Sequence, residues 1–194
     1  MAISTSSAST NPAKPQNGFT LLEILVVVGI TVVLTSMVAG YSREGGRQLA
    51  LVATETKMLN LLSRAKFLSV ETFFGGGRSG NQRICAYGLK VDASGQEMFI
   101  FQDLSSTGKC PGDSDGSYNE GERLTGELNE IKLQDALVAF TGETDLKEVI
   151  FIPPDPQTKI NNSSISEASI RVKIKEGSGQ FVITVNNAGQ IKAK

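Results

Sequence analysis

Gly18-Phe19-Thr20-Leu21-Leu22-Glu23 opens a stretch that then carries no charge from Ile24 to Ser42. A helix needs ~20 mostly apolar residues to cross a bilayer. Phe19 to Ala39, FTLLEILVVVGITVVLTSMVA, just reaches that length. Valine and isoleucine are indifferent helix formers in water, but within lipid only a helix satisfies its own backbone. A helix laid on a soluble core would keep a polar face. This one has none, so residues 19–41 read as a membrane span, with Gly29 and Gly40 as its weak points.

Glu23 is the anomaly. An ionised acid in hydrocarbon costs ~2.5 kcal/mol or more, so it calls for a partner or an interfacial position. A cut after Gly18 would give Phe19 a free α-amine, cationic at neutral pH and one helical turn from Glu23. Within one subunit the two charges can face each other. Between axially staggered subunits, the amine of one can reach Glu23 of its neighbour. Such a pairing selects register, because a mis-staggered neighbour leaves a charge unpaired in apolar surroundings. The residues ahead of the cut, MAISTSSASTNPAKPQNG, are small and hydroxyl-rich with one charge, Lys14. A secretory signal would place its apolar region before the cleavage site. Here that order is reversed, and a cut at Gly18 would leave the hydrophobic helix on the mature chain.

G-F-T-L-L-E followed by an apolar run resembles the signature of type IV prepilins and type II secretion pseudopilins. The resemblance implies a membrane-embedded prepilin peptidase and methyltransferase that cuts after Gly18 and N-methylates Phe19. It makes Glu23 the assembly carboxylate. Methylation keeps the positive charge the pairing needs. Implied partners are other pilin or pseudopilin subunits, an inner-membrane assembly platform and the membrane itself. The implied location is a single-pass inner-membrane protein with its head outside the cytoplasm, later part of a pilus or pseudopilus fibre. Met98 to Asp103, Asp113 to Gly116, Asn119 to Leu124 and the closing Gln180 to Lys194 hairpin are similar to H-type (GspH/FimT-like) minor pseudopilins. Two departures stand out. Gly40 sits where family helices often carry a proline, and Ser105 to Cys110 reads as an insertion.

Past the span, Leu51, Met58, Leu62 and Ala65 recur on one helical side, while Lys57, Arg64 and Glu71 recur on the opposite one. The helix thus continues as an amphipathic element, with a soft spot at Gly45-Gly46, and Gly75-Gly76-Gly77 stops it. The period then changes to two. Strands are expected at Ile84–Val91, Glu97–Asp103, Ala136–Thr141, Val149–Ile152, Ser169–Lys175, Gln180–Val185 and Gly189–Ala193, joined by Gly-, Asn- and Asp-rich turns. Pro153-Pro154-Asp155-Pro156 ends a strand. The expected class is α+β with a pilin fold. A leader spans 1–18, a long helix 19–74, and a β-rich head 78–194 holds one mostly antiparallel sheet over the second half of the helix.

The 194 residues carry a formal net charge of −1 and no histidine. The commonest base and transition-metal ligand at neutral pH is therefore missing. Gly75-Gly76-Gly77 lacks the Lys-Ser/Thr that a phosphate loop requires. No nucleophile–base pairing is apparent, so no enzyme, cofactor or metal is expected. The acidic loop Asp113 to Glu122 has alternating oxygen side chains, but Tyr118 stands where a calcium loop needs its glycine and Leu124 where it needs its last acid. Cys85 and Cys110 are too far apart for a CxxC motif; outside the cytoplasm they would form a disulfide, in a reducing compartment two thiols. Arg171, Lys173 and Lys175 alternate onto one strand face, as do Lys192 and Lys194. On adjacent strands they would form a positive stripe for DNA, the alternative being a solvated sheet face.

Overall fold

The computed structural model describes residues 19–110, 115–134, 136–154, 157–163 and 165–194. The leader 1–18, with Gly18, and Asp113 and Ser114 of the acidic loop lie outside the described residues. The chain divides into two compact units, one to Ser42 and one from Arg43. Helix α1, Leu21–Gly75, supplies residues to both.

In the first unit every side chain from Phe19 to Gly40 is exposed. The hydroxyls within the apolar run bond back to the helix's own carbonyls: Thr31 to Val28 (2.9 Å), Thr35 to Thr31 (2.7 Å) and Ser36 to Val33 (2.7 Å). Such back-bonding satisfies the Thr31, Thr35 and Ser36 hydroxyls without water. By length and composition this part of α1 can cross a membrane.

In the second unit α1 buries Leu51, Met58, Leu61, Leu62 and Ala65, while Lys57, Arg64 and Glu71 stay exposed. The helical period alone dictates that division. Near its end the buried Ser69 hydroxyl accepts the Tyr87 N–H (2.9 Å) and donates to the Tyr87 carbonyl (3.3 Å), fixing helix to strand. Gly76, at φ 63, then terminates the helix, its N–H returning to the Thr72 carbonyl at 2.9 Å.

Ten strands follow: β1 (Arg78–Ser79), β2 (Gln82–Asp92), β3 (Glu97–Ser105), β4 (Glu130–Lys132), β5 (Val138–Phe140), β6 (Glu148–Ile152), β7 (Gln157–Ile160), β8 (Glu167–Ile174), β9 (Gln180–Asn186) and β10 (Ile191–Ala193). All pairings are antiparallel. They build two sheets rather than the expected one: a six-stranded sheet in the order β4-β3-β2-β6-β7 with β1 on β2, and a four-stranded sheet β10-β9-β8-β5. Alternation tells which face of a strand is buried but not which strand lies beside it. Strands β1, β4 and β7 were not expected; they are short and mostly polar.

One core gathers the buried face of α1 and one face of each sheet, including Leu89, Ile100, Phe151, Ile170, Val172 and Ile183. A smaller core lies apart from it, made of Ala86, Phe101 and Ile150 with Tyr118 and Ile152 against it. Phe101, Gly88 and Ile150 are register neighbours across β3, β2 and β6. A Cβ at Gly88 would stand 2.3 Å from the Phe101 ring, so the missing side chain is what lets that ring lie down on the sheet.

Candidate processing and assembly site

The start of α1 is set by local chemistry. Thr20 precedes the helix, and its hydroxyl oxygen accepts the Glu23 N–H at 3.2 Å while its carbonyl accepts the Ile24 N–H at 3.2 Å. That is an N-cap, and Thr20-x-x-Glu23 has the spacing of a capping box. The spacing was readable in the sequence and was overlooked beside the more conspicuous acid. Only one half of the box closes: among the described residues the Glu23 carboxylate has no hydrogen-bond or ion-pair partner. Beside it runs a shallow, almost wholly apolar depression lined by Phe19, Ile24, Val27 and Val28. Phe19 is 79% exposed. An acid in the first helical turn is favoured by the helix dipole, yet here it borders a surface with nothing polar to offer it.

The remaining residues singled out in the sequence lie in the second unit. Cys85 and Cys110 are bridged, with Cα atoms 5.2 Å apart. Strand β2 begins at Gln82, two residues before the expected start at Ile84, which places Cys85 inside it. Cys85 sits at a bulge between Ile84 and Ala86, in a run of buried residues that has the main core on one face and the smaller core on the other.

The five C-terminal cations do not lie on adjacent strands. Strand β9 separates β8 from β10, and register aligns Lys192 with Thr184 and Ser169. The cations share a face, but neutral side chains run between them. Arg171 also has Glu143 at 3.6 Å, and the Lys175 ammonium donates to the Gln134 carbonyl at 2.8 Å.

The acidic loop spends its described oxygens on itself. Asp115 accepts from the Ser117 N–H (2.9 Å) and the Asn119 amide (3.0 Å). Glu122, buried, accepts the backbone N–H groups of Leu104 (3.2 Å) and Asn119 (2.8 Å). Burial pushes the Glu122 carboxyl above its ordinary range despite those bonds. Among the described residues no cluster of three acidic or thiol side chains is placed to hold a metal ion.

Arg123, noted in the sequence only as part of the Asn119 to Leu124 resemblance and given no role there, closes the loop. Its guanidinium grips both oxygens of Glu97 (3.1 and 3.0 Å), reaches Glu130 at 2.6 Å, and lies over the Phe99 ring at 4.1 Å. No local sequence signal marks it, because its partners come from β3 and β4.

Residues 13–39 match the family described as the prokaryotic N-terminal methylation motif. No curated protein and no solved structure shows a significant match to the chain. The motif supports a type IV pilin or pseudopilin subunit, processed by prepilin peptidase and assembled with other subunits.

Proposed function

We propose, for a chain that carries the prokaryotic N-terminal methylation motif, that it is a structural subunit of a type IV pilus or a type II secretion pseudopilus, of the H-type (GspH/FimT-like) minor class, serving pilus function or protein secretion. The leader 1–18 is removed after Gly18, Phe19 is N-methylated, and the span holds the protein in the inner membrane with its head outside the cytoplasm. An assembly platform then passes it into the fibre. The observation that carries this reading is Glu23: an acid without a partner among the described residues, one turn from residue 19, at the start of a stretch whose side chains from Phe19 to Gly40 are all exposed. A neighbouring subunit's N-terminal cation would satisfy it, and the exposed apolar surface would pack on other helices once out of lipid.

Two measurements test it. Intact mass of the chain recovered from membranes should show loss of the leader and gain of one methyl group. Glu23→Ala should insert into membranes normally but enter fibres less. Fibre content equal to that of the parent protein would refute the pairing. The alternative, DNA capture through Arg171, Lys173, Lys175, Lys192 and Lys194, keeps a shared face but loses the adjacent strands it relied on. A duplex gel shift that is unchanged by Lys192→Glu with Lys194→Glu would remove it.

A further inference from the structure

Strands β1 and β2 form a tight hairpin over Gly80 and Asn81, with Gly80 at φ 60 supplying the turn. The register of that hairpin sets Arg78 directly opposite Arg83. Like charges in a cross-strand pair are destabilising. Here no carboxylate relieves them: among the described residues neither Arg78, Arg83 nor the nearby Lys109 has an acid within ion-pair distance.

The two arginines line a concave site with Asn81, Ser106, Thr107 and Gly108, a cavity of about 210 Å³. One N–H of the Arg83 fork donates to the Gly108 carbonyl at 3.3 Å, which holds the guanidinium over the site. The loop that brings Ser106 and Thr107 across is fixed beside β2 by the Cys85–Cys110 bridge. The lining thus gathers two guanidinium forks, the Ser106 hydroxyl and the Asn81 side-chain amide, with no acidic group among the described residues. Donors converging from several directions suit an anion with oxygens on several sides. One fork can hold two oxygens of either a carboxylate or a phosphate; a tetrahedral oxyanion has further oxygens left for the second fork.

We propose that this hairpin pocket binds one phosphate-type oxyanion, either as a free phosphate or as the phosphodiester of a nucleic acid strand. The anion would bridge Arg78 and Arg83 and remove the repulsion the register imposes.

The test uses the full-length chain in detergent micelles, titrated with inorganic phosphate at constant ionic strength and followed by amide NMR shifts. Saturable shifts at residues 78–83 and 106–109 with a dissociation constant of about 1 mM are expected, weakened tenfold or more in Arg78→Gln with Arg83→Gln. Should that double variant lose its disulfide or its fold, Ser106→Asp serves instead, placing a repelling carboxylate in the pocket without touching the hairpin. A short oligothymidylate separates the sources. If it competes with phosphate for these shifts, the ligand is a nucleic acid phosphodiester; if it does not, the ligand is a free phosphate. Unsaturable shifts, or equal affinity in the parent protein and the variants, would overturn the proposal.

Discussion

The same residue types meet opposite fates in the two units. Leu25 and Val32 are 65% and 63% exposed, while Leu62 and Leu89 are fully buried. Burying one such side chain is worth about 1.5–3 kcal/mol. The head therefore gains its stability from within, through two sheets and the amphipathic part of α1. The N-terminal stretch gains nothing from within and depends on whatever surrounds it, lipid or other helices. Its internal hydroxyl bonds fit that dependence, since they ask nothing of the surroundings.

The largest expected effect that would sharpen this contrast is Phe101→Ala. It empties the small core and should cost about 3–5 kcal/mol of head stability, read by denaturant unfolding, with membrane attachment unchanged. Next is Gly29→Arg, where a Cβ meets nothing within 4 Å. A charge at mid-span costs ~2.5–3.5 kcal/mol on insertion. Membrane fractionation should show reduced insertion, while head unfolding stays as before. If head stability fell instead, the contrast between the units would be broken.

A smaller effect concerns pH. Arg123, then Lys132, holds the Glu130 carboxyl below its ordinary range. The stabilisation this gives is full above the ordinary glutamate value and is lost as pH falls through the lowered one. Glu122 runs the other way: its carboxyl is raised by burial, so its ionisation costs stability as pH rises through the raised value. Arg123→Gln should cost about 2 kcal/mol at neutral pH and leave a flatter decline on acidification, measurable from thermal melts between neutral and acid pH. The smallest effect is a gain. Gly46→Ala, in a helical position with open space around it, should stabilise the head by about 0.5–1 kcal/mol.

Helical faces were legible because a period of 3.6 sorts Leu51, Met58, Leu62 and Ala65 from Lys57, Arg64 and Glu71 without knowledge of what covers them. Strand neighbours were not. Nothing local tells that β9 intervenes between β8 and β10, and so the supposed basic stripe came apart. Nor does sequence announce Gly88, whose significance lies in a ring thirteen positions further along. At the N-terminus the methylation motif and its acid could be read from six consecutive residues because their chemistry is local. Thr20 was equally local, and its capping spacing lay in the same six.

The ends of the two sheets bear on how this protein avoids the wrong polymer. Strands β4, β5 and β10 are three residues long, β7 four, and Glu130, Lys132, Lys159 and Lys192 lie along them. Long flat edges invite strand addition from another copy, and short charged ones discourage it. Heads crowded together at high local concentration therefore have little means of zipping into amyloid-like ribbons, so ordered growth is left to other surfaces.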